Sequence, residues 1–117
     1  FTYYVKPNLT ISYHAKGEEI YYEFFQDKNR LLRDYSLAQA VAKTTNYTIK
    51  STPDSAGGYK DWCIEKLGIP ALTIEVGNDN LTHPIKSKHL GNIYKQNQRV
   101  IQVVIERLME LKCNKNL

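Results

Sequence analysis

Two ionisable side chains interrupt apolar runs in this chain, and each does so at the end of its run. His14 closes Leu9, Ile11 and Tyr13, and Glu75 closes Ala71, Leu72 and Ile74. The stretches they end otherwise read as buried sheet. Strand ends matter because, in open α/β sheets, ligands bind in the crevice beyond the carboxyl ends of the strands. An imidazole and a carboxylate brought to that edge can work on one substrate, and zinc chemistry is the natural candidate for the pair. A neutral imidazole ligates zinc through one ring nitrogen and usually donates from the other to a carboxylate or carbonyl that fixes the ring. Glu18 and Glu19 are the candidates for that second partner. Plainer roles stand beside these: His14 as a hydrogen-bonded structural residue, and Glu75 as a strand-end carboxylate paired with a lysine.

The elements that must position these residues follow from pattern and punctuation. An extended segment runs from about Val5 to His14, Gly17 breaks it, and Ile20 to Phe25 form a short strand. A helix capped by Asp34 or Ser36 carries Leu37, Ala38, Val41 and Ala42 at helical spacing as far as Asn46. Tyr47 to Ser51 is a strand and residues 52 to 58, with Pro53, Gly57 and Gly58, a loop. A helix through Trp62, Ile64, Glu65 and Lys66 ends at Gly68, with Pro70 beyond it. Ala71 to Val76 is the buried strand, and Leu90 to Lys112 a single long amphipathic helix. Strands alternating with helices define an α/β layer architecture.

Composition limits the functions open to the chain. Of its 117 residues 42% are hydrophobic and 24% charged, as in a folded domain or part of one. The net charge of +4 is spread along the chain without a Lys/Arg stripe or interleaved aromatic platform, which argues against nucleic acid as a partner. No apolar stretch is long enough for a membrane span. Cys63 and Cys113 show no Cys-x-x-Cys pairing, so neither a structural zinc site nor a disulfide framework is indicated, and Cys63 reads as a small core residue of a helix.

Ser12-Tyr13-His14, Gly57-Gly58-Tyr59-Lys60-Asp61-Trp62 and Thr73-Ile74-Glu75-Val76-Gly77 together resemble the C-terminal half of a zinc carboxypeptidase of the carboxypeptidase A superfamily. The bacterial γ-D-glutamyl-L-diamino acid peptidases are the branch most similar. The resemblance covers nearly the whole chain, residues 1 to 117, as the C-terminal part of one catalytic domain. It implies a twisted mixed sheet flanked by helices, in the phosphorylase/hydrolase-like manner, with the His14 and Glu75 strands parallel. It implies that His14 is a ligand of a single catalytic zinc and Glu75 the general base and acid. Lys60 falls at the floor of the side-chain pocket, where it would favour a substrate carboxylate such as the distal end of diaminopimelate; a solvated surface lysine is the rival reading. Gly57 and Gly58 either let backbone approach the ligand or turn the chain, and Asp61 and Trp62 orient and pack this loop.

The family's first two zinc ligands form a His-x-x-Glu motif, which this chain lacks: the third residue after His14 is Gly17, after His83 Lys86 and after His89 Asn92. The remaining ligands are expected upstream, and the 117 residues alone are expected to be inert. Pro53 stands where digestive relatives carry a mobile tyrosine, and Tyr59 replaces that group only if the loop differs. His83 and His89 read as loop or surface residues. The expected function is hydrolysis of the γ-D-glutamyl to diamino acid bond of bacterial wall peptides, with a peptide or muropeptide as substrate, in the cytoplasm or the cell envelope. The alternatives are a general metallocarboxypeptidase preferring acidic C-terminal residues and a non-catalytic peptide-binding domain. An incomplete sheet would leave an unpaired edge, inviting self-association or association with the missing N-terminal half.

Overall fold

The computed structural model describes residues 1–52 and 55–115. Four strands, β1 (Thr10–His14), β2 (Glu19–Tyr21), β3 (Thr48–Lys50) and β4 (Ala71–Glu75), form one sheet in the order β1-β4-β2-β3. β1 runs parallel to β4 with His14 opposite Glu75, β2 runs antiparallel to β4, and β3 runs parallel to β2. The helices are α1 (Thr2–Val5), α2 (Lys28–Thr45), α3 (Tyr59–Leu67), α4 (Leu90–Asn97) and α5 (Val100–Lys115). The α/β class read from the alternation of elements is the one observed. Among the described residues no helix is long and apolar enough to cross a membrane.

Side chains alternate across a strand, and the registers align that alternation over the whole sheet. Ile11 and Leu72 are opposite each other, as are Tyr13, Ile74, Ile20 and Ile49 in sequence across the sheet. This face carries the main core, where Ile20, Leu72 and Ile74 meet Leu37, Ala38 and Val41 of α2 and Val100 and Val104 of α5. Ser12, Thr73 and Tyr21, and beyond them His14, Glu75 and Glu19, occupy the other face. A smaller cluster of Cys63, Ile64 and Ala71, with Phe24 and Trp62 against it, seats α3 there, over the start of β4. The end of β4 that carries Glu75 is left open.

Several boundaries differ from those the sequence suggests, each for a local reason. The extended reading from Val5 starts too early: Lys6 caps α1 in the left-handed conformation (φ 46°), Pro7 offers no N–H donor, and the strand begins at Thr10. β2 stops at Tyr21 rather than Phe25, because Gln26 Oε1 takes the Phe24 N–H at 2.6 Å and Phe25 turns to φ 47°. The cap of α2 is Asp27, whose Oδ1 accepts the N–H groups of Asn29 and Arg30 at 3.0 Å. Asp34 instead lies buried within the helix, accepting from Arg33 Nε at 2.7 Å and Gln26 Nε2 at 3.0 Å. The long helix after Leu90 is two helices broken at Gln98 and Arg99. Just before the break, Asn97 Nδ2 donates to Ile93 O and to Tyr47 Oη, both at 2.9 Å. A side-chain amide in that position competes with the helical ladder.

Other readings match the structure. Asn46 ends α2 and Gly68 ends α3, both left-handed, with φ 63° and 65°. Two arginines of α2 hold the far end of α3: Arg30 Nη1 donates to Ile64 O at 3.3 Å and Arg33 Nη2 to Gly68 O at 3.1 Å. Cations at the C-terminus of a helix satisfy its last carbonyls and its dipole. Cys63 is buried and Cys113 exposed, both as free thiols. On the α2 and α5 side, β1 is an edge strand, and a cavity of about 370 Å³ beside it is lined by Leu9, Ile11, Ile105, Leu108 and Met109 among others.

Candidate active site

Because β1, β4 and β2 lie side by side in register, their outward residues form two polar rows. Ser12, Thr73 and Tyr21 make the first, and His14, Glu75 and Glu19 the second, nearer the strand ends of β1 and β4. Over them the N-terminal end of α3 and the segment before it close a cavity of about 330 Å³. The sheet contributes Ser12, His14, Tyr21, Thr73 and Glu75, and the covering segment contributes Gly58, Tyr59, Lys60 and Asp61 with Thr52 and Ser55. Five of the six predicted site residues, His14, Glu75, Gly58, Tyr59 and Lys60, thus stand around one cavity, whose lining does not include Gly57.

His14 Nδ1 lies 3.7 Å from Glu75 Oε1, the imidazole side chain 61% exposed and the carboxylate 18%. Burial pushes the Glu75 pKa above its ordinary value; the neighbouring imidazole opposes the shift and Glu19 adds to it. A carboxylate so placed holds a proton more readily than one in water. Neither Glu18 nor Glu19 supports His14. Glu18 accepts from Asn78 Nδ2 at 3.3 Å and Gln96 Nε2 at 3.1 Å, and Glu19 is held by Lys50 and Tyr21. The neighbouring lysines are likewise engaged away from Glu75, Lys50 with Glu19, Lys16 with Asp79 and Lys60 with Asp61.

Glu19 has the opposite environment to Glu75, its partner in register. The hydrogen bond from Lys50 and then that from Tyr21 lower its pKa, so it is a fixed negative charge. Tyr21, desolvated and bonded to that charge, is pushed up to about 12 and stays a neutral hydroxyl.

The α3 end of the cavity is rigidly tied. Gly58 is the N-cap of α3 and its N–H donates to Asp61 Oδ2 at 3.0 Å. Asp61 Oδ1 accepts from Lys60 Nζ at 2.5 Å, and that ammonium also donates to Glu23 O at 2.8 Å and lies 5.5 Å from the centre of the Phe24 ring. Both side chains of the pair are 9% exposed, which removes the solvated reading of Lys60. Gly57 has φ 102°, and among the described residues no atom lies within 4 Å of where a Cβ would stand. The glycine therefore serves the backbone angle rather than close protein contact. Tyr59 and Thr2 share a hydrogen bond at 2.8 Å between their hydroxyls, and Trp62 packs between Tyr3 and Tyr59. Pro53 lies outside the described residues.

The sequence alone gave no site role to Ser12, Thr73, Tyr21 or Lys50, and offered Glu19 only as a partner for His14. The signal was the period of two, since Ser12 and Thr73 each precede a chosen residue by two positions and share its face. His83 and His89 stand apart from the cavity lining. Among the described residues no group of three or more His, Cys, Asp or Glu is placed to hold a metal ion. A catalytic zinc takes three protein ligands and an open position, so the described residues do not by themselves fit one.

The fold and cavity define an α/β chain with an imidazole and a carboxylate at the open end of two parallel strands. No protein-family model matches the chain. It is similar to the γ-D-glutamyl-L-diamino acid endopeptidase 1 of Lysinibacillus sphaericus, with 24% identity over 86 residues. That stretch is 74% of this chain and 21% of the endopeptidase, so the match spans about a fifth of that protein's length.

Proposed function

We propose that this chain carries part of the active site of a peptidase that hydrolyses the γ-D-glutamyl to diamino acid bond of bacterial wall peptides. The observation that supports it best is the register of His14 against Glu75, on one face and 3.7 Å apart, at the mouth of a cavity. In this reading Glu75 takes the proton of the attacking water and returns it to the leaving amine. Its partial burial keeps the carboxylate basic enough for both steps. Lys60, at the inner end of α3, receives the charged end of the substrate side chain, and the Gly58–Tyr59 backbone forms the wall beside it.

Zinc belongs to the proposal as the cofactor that the family resemblance implies, with His14 as one ligand. A metal there needs further ligands from elsewhere in the full-length gene product, and supplies Lewis acidity when bound. In that product, Glu75→Gln is expected to abolish turnover while metal content stays unchanged, whereas His14→Ala lowers metal content. Normal turnover in the glutamine variant would sink the mechanism.

A second reading is favoured by the lack of a three-ligand group among the described residues: a peptide-binding domain using the same cavity without hydrolysis. Binding of a muropeptide without cleavage by the full-length product, with no zinc retained, would select it.

A further inference from the structure

We propose that Glu19 and Lys50 make the Tyr21 hydroxyl a one-way hydrogen-bond acceptor in the cavity, and that it takes the N–H of the amide being cleaved. The inference rests on the peptidase reading above and adds one substrate contact and two residues that position it. Alternation builds the group. Glu19 and Tyr21 are two positions apart in β2 and share a face, and Lys50 of β3 stands opposite Tyr21 in the parallel register. Lys50 Nζ donates to one oxygen of the Glu19 carboxylate and the Tyr21 hydroxyl donates to the other. Tyr21 lines the cavity, whereas Glu19 and Lys50 lie outside its lining and act through Tyr21.

The direction of the Tyr21–Glu19 bond is set by where the proton resides. The bond from Lys50 and then that from Tyr21 hold the Glu19 pKa below its ordinary value, and the Tyr21 pKa is pushed up to about 12. At neutral pH the carboxylate therefore has no proton to give. The phenol spends its single hydrogen on Glu19 and turns only lone pairs to the cavity. Donation to an anion also polarises the phenolic oxygen and strengthens it as an acceptor. Ser12 and Thr73 share the polar row with Tyr21, but a hydroxyl that is free to rotate can donate or accept as a ligand requires.

Position decides which N–H the oxygen meets. Glu19 is opposite Glu75 in the antiparallel register, so the hydroxyl that it holds lies beside the carboxylate that returns a proton to the leaving nitrogen. An amide nitrogen at that place presents its N–H to Tyr21. An ester oxygen there sets lone pair against lone pair, an unpaired contact that counts against it.

The test is a pair of substrates for the full-length gene product, a γ-D-glutamyl amide and the γ-D-glutamyl ester in which the leaving residue is the matching 2-hydroxy acid. Comparing the amide-to-ester ratio of kcat/KM between variants cancels the greater intrinsic reactivity of the ester. Tyr21→Phe, which removes the oxygen and keeps the ring, should lower kcat/KM for the amide about threefold to tenfold more than for the ester, as one hydrogen bond allows. Glu19→Gln, whose amide can donate to Tyr21 as well as accept from it, frees the phenol to turn its hydrogen to the cavity. It should lower the ratio in the same direction, with the ester rate held or raised. Loss of both rates together, at the wild-type ratio, would overturn the part assigned to Glu19 by showing that it only supports the fold. An unchanged ratio in Tyr21→Phe would overturn the whole inference, and the peptidase reading would stand as long as the wild type cleaves the amide. Cleavage of neither substrate by the wild type would take both readings down.

Discussion

The two faces of the four-stranded sheet are made from alternate residues of the same strands, yet they answer to different demands. On one face Ile74 and Ile20 meet in register and are fully buried against α2 and α5. One residue further along, on the other face, Glu75 meets Glu19 and His14 at the mouth of a cavity. The first face holds the fold together by burial, while the second spends apolar area to keep polar groups in place. Ser12 and Thr73 make no side-chain hydrogen bond among the described residues, and their hydroxyls face a cavity in which a ligand can use them.

The division is open to direct attack. Ile74→Asp places an unpaired carboxylate at a fully buried position, and the expected loss is about 4 kcal/mol or more. Thermal unfolding should then lose its cooperative transition. Survival of a normal transition would mean that this face is not the stabilising one. Next in size is Asp61→Ala, which strips the buried Lys60 ammonium of its counter-charge and Gly58 N–H of its acceptor. Removing one partner of a buried pair costs about 3 to 5 kcal/mol. Adding Lys60→Met to Asp61→Ala should recover part of that loss, and absence of any recovery would show that the cap on Gly58, not the charge, carries the effect.

How far the sequence revealed this arrangement depends on what each position had to encode. His14 and Glu75 stood out because a charge within an apolar run is expensive; the family resemblance implied parallel strands, and the register that sets the two residues opposite each other is seen only in the fold. Asn46 and Gly68 were legible as helix ends because few residues tolerate their left-handed angles. The start of α2 was not, since Asp27 leads a polar first turn and the buried Asp34 looks like a cap in one dimension. The break after Asn97 escaped for a similar reason: it coincides with a hydrogen bond to Tyr47, fifty residues away in sequence. Lys60 was legible as a pocket residue, but its neutralisation by the adjacent Asp61 is a matter of rotamers, which neighbouring letters do not reveal.

Smaller effects sharpen the comparison further. Burial raises the Glu75 pKa above its unfolded value, so the fold is more stable when this carboxylate is protonated, and that contribution is lost as pH rises through the folded pKa. At neutral pH Glu75→Gln should therefore raise the melting temperature, measured in chelator so that no metal intervenes. The gain should vanish below the ordinary carboxylate value of 4.5, where the wild-type side chain is neutral in both states. A gain that persists at low pH would point to packing rather than charge.

The smallest expected effect is that of Thr73→Val, beside the largest. Thr73 adjoins Ile74 in β4 but points to the cavity, and among the described residues its hydroxyl makes no hydrogen bond. Replacing it with an equally branched apolar residue keeps the strand preference and removes no internal partner, so stability should change by no more than about 0.5 kcal/mol. Any function that uses the cavity should suffer instead, because a ligand loses a hydroxyl and meets a methyl. A large loss of stability with ligand binding intact would reverse the roles assigned to the two faces, since it would mean that the polar row, too, is there to hold the fold.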